Sequence, residues 1–157
     1  VIFATVGSHP TYRFERFLRA LESLPGEELV VQYGPGEPPP HAASAVPWMT
    51  FAEIVEHMER AEHVVSHAGA GTILCAARAG QTPIVFPRLE RFGETVDDHQ
   101  VELARRMAED GHVVVVESAA ELAAAVAEAP PRSAESARDA GADLIAAVRA
   151  ELQPDNQ

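Results

Sequence analysis

Ser66-His67-Ala68-Gly69-Ala70-Gly71-Thr72 decides how this chain folds. It follows a short apolar run, His63-Val64-Val65, and precedes Ile73-Leu74-Cys75-Ala76-Ala77, which has the composition of a helix. The order is strand, glycine turn, helix. Glycines in such a turn let backbone amides approach a ligand closely. The helix that follows offers unpaired N–H groups to an anion. Phosphate binding is the functional interpretation, and a glycine turn that only tightens a βα connection is the structural alternative. The spacing matches neither the dinucleotide fingerprint nor the P-loop.

The same alternation extends in both directions. Apolar runs at 1–6, 29–33, 64–67, 83–86 and 112–116 predict strands, and 46–49 predicts a short one despite Pro47, which cannot donate to a ladder. Helical patterns predict helices over about 12–22, 51–60, 70–79, 99–109 and 118–128. Asp98 is the expected cap of the helix at 99, and Ser118 with Glu121 has the form of a capping box. Gly34 to Ala45, with four prolines and two glycines, is a loop. An alanine-rich helix is expected over about 134–151, with Leu144, Ala147 and Val148 on its packed side and a frayed tail at 152–157. Strands alternating with helices predict one α/β domain over 1–151, a Rossmann-like parallel sheet of about six strands with helices on both faces. Ligands of such sheets gather beyond the C-terminal strand ends, where Gly7–Thr11, His67–Thr72, Pro87–Asp98 and Gly34–Ala45 are expected.

Composition narrows the function. The 157 residues carry a net charge of −12, from 24 acidic and 12 basic side chains. That disfavours nucleic acid and direct docking on anionic lipid, but not a small anion held by glycines and one or two arginines. One cysteine excludes an intrachain disulfide framework and fits a reducing compartment. No stretch is long and apolar enough for a membrane span. The chain starts on Val1 rather than Met, so residues upstream are expected.

Several side chains at the loop ends suit anion or sugar chemistry. Gly7 permits a sharp exit from the first strand, and Ser8 can donate to an oxygen-rich ligand or satisfy local backbone. His67 can bond phosphate or position a reacting oxygen, and is otherwise a packed histidine. Thr72 falls in the first helical turn, with hydroxyl and amide both able to face an anion. Arg88 offers a rigid donor fork for phosphate, with Arg91 as a rival, although either can pair with Glu90 or Glu94. His99 and Gln100 suit hydroxyls or an amide edge. His9, His67 and His99 have no local metal-ligand spacing, so no metal site is expected. Cys75, inside a predicted helix, reads as packing, and no GxSxG elbow is present.

Taken together and in order, these motifs resemble the C-terminal, nucleotide-sugar-binding domain of glycosyltransferase family 28. They are Val6-Gly7-Ser8, Ser66–Thr72, Gly80-Gln81-Thr82-Pro83, Pro87-Arg88 and Asp98-His99-Gln100. The likeness covers about residues 1–128 and is nearest to the small, separately encoded subunits of two-part enzymes. These are the eukaryotic dolichol-pathway N-acetylglucosaminyltransferase catalytic subunit and a bacterial exopolysaccharide glycosyltransferase subunit. The resemblance implies the C-terminal half of a GT-B, inverting enzyme whose substrate is a UDP-sugar and which needs no cofactor. Gly7, Ser8, Gly69, Ala70, Gly71 and Thr72 would surround the diphosphate, with His99 and Gln100 near the sugar or nucleoside. His67 and Arg88 would line the cleft. The acceptor would be a lipid-linked saccharide, brought by a membrane-anchored partner subunit that also carries the general base, with His67 the local catalytic candidate in reserve. The chain would then sit in the cytoplasm, held to the inner membrane face through that partner. The alternative is a noncatalytic nucleotide-sugar-binding or regulatory module. One position departs from the lipid-II-forming relatives: Cys75 stands where they carry a ribose-holding glutamate. Ribose is then held otherwise, or nucleotide recognition is altered.

Overall fold

A computed structural model describes residues 1–129 and, beyond them, Ala146 and Arg149, both helical. The expected helix over 134–151 and the tail at 152–157 otherwise lie outside the described residues. The elements follow in the order β1 (Ile2–Thr5), α1 (Glu15–Ala20), β2 (Leu29–Gln32), β3 (Ser44–Val46), α2 (Phe51–Arg60) and β4 (His63–His67). After these come α3 (Ala70–Arg78), β5 (Ile84–Phe86), α4 (His99–Glu109), β6 (Val114–Val115) and α5 (Ala119–Glu128). The six strands of the described residues form one sheet in the order β3-β2-β1-β4-β5-β6. Every pairing is parallel, with Ile2 beside both Leu29 and His63.

Successive strand residues point to opposite faces, and the core divides accordingly. Ile2, Ala4, Val31, Val65, Ile84 and Phe86 pack with α1 and with Leu122 of α5. On the other face Phe3 and Val64 meet Met58 of α2 and Ala76 of α3. Val85 there meets Ile73 of α3 and Leu103 and Met107 of α4. Helices on both faces of an all-parallel sheet make this a doubly wound, Rossmann-like fold. The chain reverses its direction of travel between β1 and β4, which are neighbours in the sheet. The loops leaving those two strands part there and open the crevice in which such folds bind ligands.

Local chemistry explains the starts of α2 and α5. Thr50 and Glu53 form a full capping box at α2, with Thr50 Oγ1 accepting from the Glu53 amide at 3.2 Å. At α5, Ser118 Oγ accepts from the Glu121 amide at 3.2 Å, but the Glu121 carboxylate takes the Glu117 amide, not that of Ser118.

Two expected boundaries, those of α1 and β3, move, and one expected cap is not made. α1 begins at Glu15, not near residue 12, because Phe14 is held off-helix, stacked on Phe17 and edge-on to Phe86. β3 lies two residues earlier than expected. Pro47 stands just past it and serves as acceptor only, taking the Gly34 amide at 2.9 Å. Asp98 precedes α4 but does not cap it with its side chain. Its carboxylate takes the Glu90 amide, and Asp97 accepts from the His99 amide, each at 3.0 Å.

Candidate functional site

The crevice at the strand ends holds a cavity of about 360 Å³. Ser8, His9 and Tyr12 line it from the β1–α1 loop, His67 from β4, and Thr95 and Gln100 from the β5–α4 loop and the start of α4. Ser8 is exposed at the rim.

Behind Ser8, Gly7 turns with φ +87°, a conformation open to glycine. Its amide donates to Thr5 Oγ1 at 3.1 Å. The Thr5 hydroxyl bonds Gln32 Oε1, and Gln32 Nε2 donates to Pro47 O at 2.8 Å. This buried chain sets the exit of β1 against the turn after β3.

His67 is the last residue of β4, and its imidazole occupies the junction of three segments. A Cβ added to Gly7 or to Gly69 would overlap the ring, so both positions require glycine, which has no side chain. Nε2 lies 3.1 Å from Thr72 Oγ1, and Nδ1 lies 3.4 Å from Gln100 Nε2. Burial, and next the nearby Arg88 charge, push the pKa of His67 down to about 3. The ring is therefore neutral at pH 7, with both nitrogens engaged.

Gly69 is the N-cap of α3, and no side chain caps that end. The amides of Ala70, Gly71 and Thr72 occupy the first turn, where no carbonyl of the helix can reach them. A Cβ at Gly71 would meet nothing within 4 Å, so the space before this turn is open. A nine-residue helix adds the positive end of its dipole there.

Arg88 lines the cavity, as expected, and its side chain also binds backbone. It is 3% exposed, with its guanidinium on three backbone carbonyls: Val6 at 2.7 Å, Glu94 at 3.1 Å and Tyr12 at 3.2 Å. The plane lies 4.6 Å from the Phe14 ring centroid. Burial lowers its pKa to about 10, partly offset by Glu94, so it keeps its charge at pH 7. Arg88 thus lines the cavity while its guanidinium ties the loops together through these three carbonyls. His99 is an expected residue the fold leaves aside. It is exposed at the start of α4 and outside the cavity lining, whereas Gln100, expected with it, faces the cavity.

Spacing alone concealed a further clamp. Arg16 of α1 grips Glu94 through two bonds, NH2 to Oε1 at 2.8 Å and Nε to Oε2 at 3.3 Å, and donates to Pro87 O at 2.8 Å. Glu94, expected as a surface partner for Arg88 or Arg91, is buried and also accepts the Leu89 amide at 3.0 Å. Gln81, noted only as part of a motif, donates to Met58 O and Ala61 O and satisfies the end of α2. Cys75 is half-buried in α3, and burial raises its thiol pKa. Among the described residues no cluster of three metal-ligating side chains occurs.

Comparison with known proteins agrees with this architecture. The family model of the glycosyltransferase family 28 C-terminal domain matches residues 1–150. The chain is 31% identical over 105 residues to the UDP-N-acetylglucosamine transferase subunit ALG13 of Yarrowia lipolytica, covering 62% of this chain and 52% of that one. It is 31% identical over 101 residues to the Homo sapiens protein of the same name, covering 61% and 8%. This chain thus spans about half the length of the first relative and far less of the second. Among solved structures, the kitacinnamycin glycotransferase superposes with a TM-score of 0.58 at 24% identity, covering 96% of this chain and 38% of that one. CalG4, the calicheamicin glycosyltransferase, superposes with a TM-score of 0.62 at 22% identity, covering 96% and 40%. Those two likenesses establish the fold. With residues 1–150 of 157 matched by its model, the chain belongs to the glycosyltransferase family 28 C-terminal domain family.

Proposed function

We propose that this chain is the donor-binding subunit of an inverting glycosyltransferase that moves a hexosyl group from a UDP-sugar to a lipid-linked acceptor. The observation that carries this function is the bare first turn of α3. Ala70, Gly71 and Thr72 present their amides at the switch point of the sheet without a side-chain cap. Family membership and relatives named as UDP-N-acetylglucosamine transferase subunits support it.

Transfer breaks the bond between the anomeric carbon and the β-phosphate oxygen and leaves negative charge on UDP. The amides at Ala70–Thr72, with about half an elementary charge from the helix dipole, stabilise that charge without metal or cofactor. Gly7 and Ser8 close the other side of the diphosphate, and Gln100 lies toward the sugar. The acceptor hydroxyl forms its bond to the opposite face of the anomeric carbon and gives its proton to a base. His67 is unsuited to that task, because its pKa is held near 3 and both ring nitrogens are engaged. The base then belongs to a second, membrane-anchored, acceptor-side subunit, which would hold this chain at the cytoplasmic face. No helix of the described residues is long and apolar enough to cross a membrane.

The unsuitability of His67 as a base also favours, as a second function, a noncatalytic nucleotide-sugar-binding or regulatory module. Calorimetry with UDP, UDP-N-acetylglucosamine, UDP-glucuronate and NAD tests the first step: UDP and at least one UDP-sugar bind. Binding of NAD alone refutes donor binding. Reconstitution with the acceptor-side subunit and a lipid-linked acceptor then separates transfer from binding without transfer.

A further inference from the structure

From the cavity lining to the start of α3 four groups form one line of hydrogen bonds, and the direction of each link follows from the one before. The Arg88 backbone N–H lies 3.3 Å from one end of the Gln100 side-chain amide. A backbone N–H only donates, so that end is the oxygen. The NH2 end is then 3.4 Å from His67 Nδ1. An amide NH2 has no lone pair to offer, so Nδ1 is the bare nitrogen. A neutral imidazole has one proton, which therefore sits on Nε2, 3.1 Å from Thr72 Oγ1. Thr72 accepts it, and its own hydroxyl proton is left to turn elsewhere. The ring has little freedom to leave this line, because the Gly7 and Gly69 backbones lie against it.

We propose that His67 is a positioning residue, held as its Nε2–H tautomer by Gln100, that occupies a lone pair of Thr72 and leaves the Thr72 proton to a phosphate oxygen at the start of α3. This inference rests on the donor-binding function proposed above. It assigns His67 neither proton transfer nor ligand contact. Gln100 gains a part separate from any contact with the sugar, because it sets which ring nitrogen is protonated. The Arg88 backbone, in turn, sets which way round the Gln100 amide lies.

Nitrogen-15 spectra of the histidine rings in the free chain test the tautomer without any ligand, with His67 assigned by its loss in His67→Gln. The expected result is one bare nitrogen, Nδ1, and one protonated nitrogen, Nε2, at pH 7. An Nδ1–H tautomer or an imidazolium overturns the proposal. UDP affinity tests the role, and UDP has no sugar for Gln100 to touch. Thr72→Val weakens UDP binding roughly tenfold to a hundredfold, the loss of one charge-assisted bond, while Thr72→Ser retains it. Gln100→Leu weakens binding less, and the Thr72→Val, Gln100→Leu pair binds no worse than Thr72→Val alone. Effects that multiply in the double variant overturn the relay, since independent residues are additive in free energy. A wild-type chain that ignores UDP defeats the donor-binding function, whereas a wrong tautomer defeats this inference while UDP still binds.

Discussion

Replacing Arg88 with methionine separates a structural clamp from a phosphate ligand. The guanidinium makes hydrogen bonds to the carbonyls of Val6, Tyr12 and Glu94 and is 3% exposed, so water screens little of it. Three bonds from a charged donor, at about 1.5 kcal/mol each, set a gross loss of about 4–5 kcal/mol. Methionine keeps an apolar stem against Phe14 and removes the burden of burying a charge, which leaves a net loss of about 3 kcal/mol. With a urea slope of about 1.5 kcal/mol per molar, the unfolding midpoint falls by about 2 M. Lysine does not rescue the loss, because a point charge on a flexible stem cannot span three carbonyls in fixed directions. Urea titration followed by circular dichroism measures the midpoint, and calorimetry in the absence of urea measures UDP affinity. An unchanged midpoint together with abolished UDP binding would show that Arg88 reaches the phosphates and would refute the clamp.

Gly71→Asp is expected to leave the unfolding midpoint nearly unchanged, since a Cβ there meets nothing within 4 Å, and to abolish UDP binding by setting a carboxylate before the amides; intact UDP affinity in the folded variant would remove the phosphates from this turn. The depressed pKa of His67, about 3 against 6.5 for the unfolded chain, makes the unfolded state bind the extra proton between those values. Stability from this ring is complete above pH 6.5 and falls as pH drops toward 3, by about 2 kcal/mol at pH 5. Urea midpoints at pH 7.5 and 5 should therefore fall more steeply in the wild type than in His67→Gln, and parallel slopes would contradict a neutral buried ring. Transfer by the assembled two-subunit enzyme should persist in EDTA, and strict dependence on a divalent cation would defeat stabilisation by amides and helix dipole alone.

Periodicity revealed the elements whose cause is local. Gly69 through Thr72 announced α3 at its observed start, and Thr50 with Glu53 capped α2 near the expected residue. Five of the six strands were legible as short apolar runs between turn residues, whereas β3, Ser44–Val46, fell mostly within an expected loop. What escaped depends on contacts far apart in the chain. Phe14 leaves the helical pattern because it packs on Phe86, and the Arg16–Glu94 pair joins residues 78 apart. Arg88 had the right chemistry for phosphate, and nothing in its neighbours indicated that carbonyls of the β1–α1 segment and of its own loop would claim its donors. His67 was found through its place between a strand end and a glycine turn. Its protonation could not be read there, because it depends on the orientation of Gln100, 33 positions later.

The two arginine clamps also bear on how this domain could be re-engineered. Arg16 carries α1 onto the β5–α4 loop, and Arg88 carries that loop back onto the segment between β1 and α1. The two rim segments are thus one mechanical unit, although some 70 residues separate them in the chain. Exchanging either alone for that of a relative with another donor preference would strand a buried Arg or Glu94 without its counterpart. A chimera meant to change the transferred sugar must therefore transplant residues 7–16 and 87–98 as a pair.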